Sequence, residues 1–235
     1  MNNYLSNILS AMTGGQSPIT RNVTGNCLLL GSGGTGIFSI AQAIKDKCPS
    51  FATKRHITLA PWVGRARDIE GLNKNNFIEV GLGESGIKLT PEHILSKSYD
   101  LLISSSDFQS PPDYTDIVED LIDMLTANPP IGNQDLLLFI TDIDHLPSNV
   151  SSKLAKFMDK TNATVICSTS AYSEGITSIQ EHFKHLVLTK TDAFKMVAEI
   201  GTWNLEGVNF RDIMELNTFE YYLLDRKKTP ITGAL

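Results

Sequence analysis

The sequence predicts an α/β fold in three layers, with a mostly parallel central sheet covered by helices on both faces. Two observations carry this. From Asn26 onward, short apolar runs of strand length alternate with helical patterns. The run Leu136–Ile140 is apolar on both faces, as a strand buried within a parallel sheet must be.

The elements follow in order. Residues 1–22 read as an N-terminal extension, with a short amphipathic helix over Tyr4–Met12 and then a Thr-Gly-Gly-Gln-Ser-Pro loop. Strands are expected at Cys27–Leu30, His56–Leu59, Phe77–Val80, Leu101–Ser104, Leu136–Thr141, Thr164–Ser168 and His185–Leu188, with a closing pair at Tyr221–Leu224 and Pro230–Ala234. Helices are expected at Ile37–Lys47, Pro91–Ser96, Asp113–Ala127, Val150–Lys160, Ile176–His182 and Ala193–Ile200. No repeat, low-complexity tract or linker interrupts residues 23–235, so a single domain is expected there.

Composition narrows the function. A formal charge of −6 argues against adhesion to nucleic acid by bulk electrostatics, though not against a local basic patch. The three cysteines, Cys27, Cys48 and Cys167, are odd in number and match no zinc spacing. They read as reduced, buried thiols of a cytoplasmic protein. No run approaches the roughly 20 apolar residues of a membrane span, so direct membrane insertion is not expected. The five histidines form no i, i+4 metal pair.

The chemistry concentrates at Gly31-Ser32-Gly33-Gly34-Thr35-Gly36, where an apolar strand runs through four glycines into a helix. Glycines let the backbone adopt positive φ and approach a ligand closely. Several N–H groups and the positive end of the helix dipole then converge on one spot, which suits a phosphate. Two patterns fit. As G-x-G-x-x-G, the loop matches a dinucleotide-binding turn at Gly31, Gly33 and Gly36. As G-x-x-x-x-G-K-[ST], it matches at Gly31 and Gly36, but Ile37 replaces the lysine and Phe38 the hydroxyl residue. Those two side chains neutralise the β/γ-phosphates and hold magnesium, and Ser39 comes one residue late to substitute.

The remainder of the chain bears on the choice. The second strand ends at Ala60-Pro61-Trp62 without the acidic residue that a dinucleotide fold places there, although Arg65 and Arg67 follow and suit a 2′-phosphate. By contrast, Leu136-Leu137-Leu138-Phe139-Ile140-Thr141-Asp142-Ile143-Asp144 is an apolar strand ending in acids, and Thr164–Ser168 leads into Thr169 and Ser170, a strand ending in hydroxyls. A bland reading of Asp142 and Asp144 is a solvated strand-end turn with a helix cap before Leu146.

In this order the motifs resemble the additional-strand class of P-loop NTPases, of RecA/AAA-like architecture. The acidic strand resembles a Walker B segment, and the strand with Ser168 and Thr169 resembles the sensor strand inserted between it and the P-loop strand. Within the class, Gln180-Glu181-His182-Phe183 is similar to a Clp-type AAA+ module, with Glu181 and His182 where that family carries arginines. The tail from Leu216 to Ala234 resembles instead the end of FtsK/HerA-type motors and the coupling ATPases of type IV secretion.

That resemblance implies ATP or ADP phosphates at Gly31, Ser32, Gly33, Gly34, Thr35 and Gly36, with Ser168 and Thr169 on the γ-phosphate side. Magnesium would be held by Asp142 and Asp144. With the lysine and hydroxyl gone, an efficient ATPase is not expected. Lys54, Arg55 and Lys88 are candidates for a replacement cation. The expectation is a degenerate subunit of a secretion, conjugation or DNA-translocation machine, working with protein partners or as a homo- or hetero-oligomer. A non-enzymatic interaction module of the same fold is one alternative, with Ile37 and Phe38 filling the phosphate pocket. An NAD(P)-binding oxidoreductase using Gly31, Gly33 and Gly36 is another. Strand order separates the last from the first: only the P-loop class places a strand between the glycine-loop strand and the acidic strand.

Overall fold

The computed structural model describes residues 17–51, 53–60, 77–81, 90, 92, 100–104, 111–128, 136–171, 173–193 and 202–235. The expected helices at Tyr4–Met12, Pro91–Ser96 and Ala193–Ile200 lie outside these residues wholly or in large part, as do Trp62, Arg65, Arg67 and Lys88.

Helix α1 spans Pro18–Asn22, followed by β1 (Cys27–Leu30), α2 (Ile37–Lys47), β2 (Arg55–Ala60), β3 (Phe77–Gly81) and β4 (Asp100–Ser104). Then come α3 (Pro111–Ala127), β5 (Leu136–Ile140), a 3-10 turn (Ile143–His145), α4 (Ser148–Lys160) and β6 (Thr164–Thr169). The chain closes with α5 (Glu174–Ile179), a second 3-10 turn (Gln180–His182), β7 (His185–Leu188), α6 (Phe210–Met214), β8 (Glu220–Asp225) and β9 (Ile231–Ala234).

The strands form one nine-stranded sheet in the order β3-β4-β2-β5-β6-β1-β7-β8-β9. The pairs β3–β4, β4–β2, β2–β5, β5–β6 and β1–β7 are parallel, whereas β7–β8 and β8–β9 are antiparallel. Strand β6 therefore stands between β5, which ends in the acids, and β1, which ends in the glycines. A dinucleotide-binding sheet has no strand at that place, so the NAD(P) alternative is not supported.

By its contacts the chain divides into two compact units. The first comprises Met1–Ala52, Ser168–Tyr172 and Phe183–Leu235. Its core is built on β1 and β7, all of whose residues are buried. On it Ile40 and Ile44 of α2 are fully buried, and α1 packs on α2 and β9. The phenol of Tyr221, fully buried in β8, holds α1 in place by bonding Ser17 Oγ at 2.7 Å and accepting the Ile19 N–H at 3.0 Å. The second unit comprises Thr53–Cys167 and Ser173–His182. There β5 is wholly buried, α3 presents Tyr114, Val118, Leu121, Ile122 and Leu125 as one buried stripe, and α4 packs against α3 and α5.

The expected boundaries shift by small amounts. Strand β5 ends at Ile140, because Asp142 adopts φ 54 and turns the chain out of the sheet. The helix expected over Ile176–His182 starts earlier, where Ser173 Oγ accepts the Ile176 N–H, and it tightens into 3-10 geometry at Gln180. The three cysteines are free and buried. Burial pushes the Cys48 thiol up to about 12, which makes it inert as a nucleophile at neutral pH.

Candidate nucleotide site

The glycine loop is shaped by residues distant in sequence. Gly31 donates its N–H to the Thr169 carbonyl at 3.1 Å, and Ser32 donates to the Lys190 carbonyl at 3.1 Å. The Thr35 hydroxyl bonds the Ser32 carbonyl at 2.7 Å and Thr189 Oγ1 at 2.8 Å. These bonds close a ring of contacts around residues 31–35. Gly34 and Gly36 sit at φ 79 and 83, the left-handed region where a side chain is strained. Gly36 is the N-cap of α2.

Among the described residues, the N–H groups of Gly33, Gly34, Gly36 and Ile37 have no acceptor within the protein. Four donors at the start of an eleven-residue helix, on exposed Gly33 and Gly34, half-buried Gly36 and buried Ile37, form a cradle of anion-binding type. The expected site residues thus fall into two kinds. Gly31, Ser32 and Thr35 have their N–H groups engaged in holding the loop, while Gly33, Gly34 and Gly36 present theirs. Ile37 is 4% exposed and belongs to the core of the first unit.

Ser168 and Thr169 are each 2% exposed at the end of β6. The Thr169 hydroxyl donates to the Ala171 carbonyl at 2.5 Å and accepts the Ala171 N–H at 3.3 Å, and its carbonyl anchors Gly31. In this structure Thr169 shapes the turn after β6.

The acidic tip of β5 belongs to the second unit. Asp142 is 5% exposed in the left-handed region, and its side chain does not cap the 3-10 turn that follows. This departs from the solvated, capping reading of the sequence. The Asp144 side chain is 10% exposed, with His145 Nε2 at 3.7 Å. Tyr114, reaching in from α3, donates its hydroxyl to the Thr141 carbonyl. Burial holds that phenol well above its ordinary range, and the nearby carboxylates of Asp142 and Asp144 push it further. The Thr141 hydroxyl, fully buried, has no hydrogen-bond partner among the described residues, leaving an oxygen at the strand tip for a water or an ion. Two carboxylates and a hydroxyl are hard oxygen donors of the kind magnesium takes, usually alongside waters and substrate phosphates. The set lacks the P-loop hydroxyl, since Phe38 stands there. Among the described residues no group of three or more His, Cys, Asp or Glu converges on a metal position.

Two sequence expectations change place. Arg55 pairs with Leu136, the first residue of β5, so Lys54 and Arg55 stand at the amino-terminal edge of the parallel strands. Both belong to the second unit, and the glycine loop to the first. The sequence reading missed Lys190, an exposed residue whose carbonyl holds Ser32, and Phe219, whose N–H donates to the Thr35 carbonyl at 3.1 Å. Neither carries a local signal; only the pairing of β1 with β7, and of β7 with β8, brings them to the loop.

No protein-family profile and no curated protein sequence matches the chain. Among solved structures it is similar to the genome packaging NTPase B204 of Sulfolobus turreted icosahedral virus 2, solved in complex with sulfate. The TM-score is 0.63 and the identity 10%, over 90% of this chain and 96% of that chain. It is similar also to the plasmid coupling protein TrwB in complex with ADP and Mg2+, with TM-score 0.63 and 11% identity over 89% of this chain and 85% of that chain. TrwB is a bacterial conjugative coupling protein. These likenesses agree with the position of β6. The fold is that of additional-strand P-loop NTPases. In it, β1 takes the place of the P-loop strand, β5 that of the acidic strand and β6 that of the added strand between them. The tail closes the sheet with the antiparallel pair β8–β9.

Proposed function

We propose that this chain is a nucleotide-binding subunit of a nucleic-acid translocating machine, of the genome-packaging or conjugative-coupling kind, with weakened nucleotide binding. The four open amides at Gly33, Gly34, Gly36 and Ile37 carry this reading. They provide the part of phosphate binding that comes from the backbone, which survives the loss of the lysine side chain. The loss of that lysine and of the hydroxyl weakens triphosphate binding and slows hydrolysis. Asp142 and Asp144 are the proposed magnesium carboxylates. Lys190, anchored on the loop through its carbonyl, is the proposed substitute cation.

The proposal extends to residues 23–235 working as one domain, in the cytoplasm, as part of a homo- or hetero-oligomer. No helix among the described residues is long and apolar enough to cross a membrane. Thermal shift with ATP or ADP, each with and without Mg2+, tests the reading. A ligand that binds only the folded chain raises the melting temperature with its concentration. No shift with either nucleotide reduces the protein to an interaction module of the same fold.

A further inference from the structure

Phe219 is 41% exposed, one of three large apolar side chains on the described surface. It also lies at φ 70, an outlying conformation for a bulky residue. A residue is held so only where its surroundings over-determine it. Here they do. Its N–H donates to the Thr35 carbonyl at 3.1 Å, its carbonyl accepts the Leu235 N–H at 3.2 Å, and Glu220 next to it accepts two bonds from Asn217 through Oε2, at 2.7 and 3.0 Å.

The ring is placed by this turn against the phosphate loop. A Cβ built on Gly36 would lie 2.4 Å from Phe219 Cδ1 and 3.0 Å from Cε1, so glycine is required there by the ring as well as by φ. An aromatic ring, partly open to solvent, thus rests on the residue that caps α2, beside the open amides. Packing against the loop leaves the residue 41% exposed, so part of the ring stays open to a partner. A nucleotide has a flat π face joined to its phosphates by one sugar.

We propose that Phe219 is the stacking platform for the base of a nucleotide whose phosphates lie on the Gly33–Ile37 amides. This rests on the nucleotide-binding reading above. Stacking tolerates any base, because every base offers a π face. The platform therefore recognises a nucleoside di- or triphosphate as a class, without choosing adenine or guanine by its edge.

The test is titration calorimetry of the full chain with ADP, GDP and inorganic tripolyphosphate, on wild type, Phe219→Gly and Phe219→Trp. Glycine suits φ 70, so Phe219→Gly keeps the turn while removing the ring, and its melting curve checks that it folds. Phe219→Gly is expected to weaken ADP and GDP alike by about tenfold or more, to leave tripolyphosphate unchanged, and to be rescued by Phe219→Trp. Equal nucleotide affinity in wild type and a folded Phe219→Gly would overturn the platform while leaving the nucleotide reading intact. A parallel loss of tripolyphosphate would also overturn it, assigning Phe219 to holding the loop. Failure of wild type to bind any of the three would overturn both.

Discussion

Thr189 Oγ1 occupies the space that a side chain on Gly31 would need: a Cβ there would lie 1.7 Å from it and 3.0 Å from Thr189 Cβ. The same hydroxyl bonds Thr35 at 2.8 Å, so one atom fixes both ends of the loop. Gly31→Ala therefore cannot be absorbed without moving β7 or rotating Thr189 out of that bond. Overpacking of this kind costs about 1–3 kcal/mol. Denaturant unfolding is expected to show that loss, with partial recovery in the Gly31→Ala/Thr189→Ala double variant. Additive losses in the double variant would mean the two residues do not share the space.

The buried carboxylate of Asp142 sits on a backbone that asparagine tolerates as well as aspartate. Asp142→Asn removes a desolvated charge at nearly constant shape. Stability is expected to stay within about 1 kcal/mol of wild type or to rise, while any enhancement of ATP binding by Mg2+ disappears. Magnesium dependence that persists in the folded variant would assign the metal to other residues.

Tyr221 connects the closing hairpin to the N-terminal helix through Ser17 and the Ile19 N–H. Tyr221→Phe strands that buried N–H, at a cost of about 1–3 kcal/mol. Gly233→Ala reaches the same contact from the other side, since a Cβ there would lie 2.6 Å from the Tyr221 hydroxyl oxygen. Both variants are expected to lower the midpoint of denaturant unfolding, and hydrogen exchange of the Ile19 amide should accelerate in each. An unchanged midpoint in Tyr221→Phe would show that α1 is held by packing alone.

His185 gives the fold a dependence on acid. It is 2% exposed, its Nε2 accepts the Thr24 N–H at 3.2 Å, and Asp225 Oδ2 lies 3.6 Å from Nδ1. Burial lowers its pKa below the ordinary value, with Asp225 opposing and Lys184 and Lys228 adding to the decrease. The unfolded chain therefore takes up a proton that the folded chain resists as pH falls below about 6.5. Stability from this group is complete above that pH and declines on acidification. His185→Gln, which keeps an acceptor for Thr24, is expected to flatten the fall in melting temperature between about pH 7 and 5. An identical slope in wild type and variant would place the acid sensitivity elsewhere.

The parts of the molecule legible in sequence were those set by local chemistry. Cys27–Leu30, Leu136–Ile140 and His185–Leu188 are apolar runs too uniform for a half-exposed strand, and they are buried throughout. Four glycines after β1 marked a loop that needs them, with Gly34 and Gly36 at positive φ. The hydroxyl-tipped run from Thr164, read through a family likeness, took its place between β5 and β1. What stayed hidden depended on pairing across the chain. Helices α1 and α6 have five residues each, too few to show a period. Phe219 follows Asn217-Thr218 in a polar stretch and acquires meaning only when β8 brings it to Gly36. Tyr114 reads as one more member of an apolar helix stripe, yet a buried phenol needs an acceptor. That acceptor is 27 residues away, at Thr141.

Calorimetric titration of the full chain with ATP, in Mg2+ and in EDTA, bears most directly on whether this glycine loop still holds a triphosphate without the P-loop lysine. Saturable 1:1 binding that ADP and tripolyphosphate displace, that Mg2+ strengthens, and that NADPH leaves untouched is the expected result. No heat with ATP, ADP or tripolyphosphate, or saturation by NADPH in their place, would contradict it.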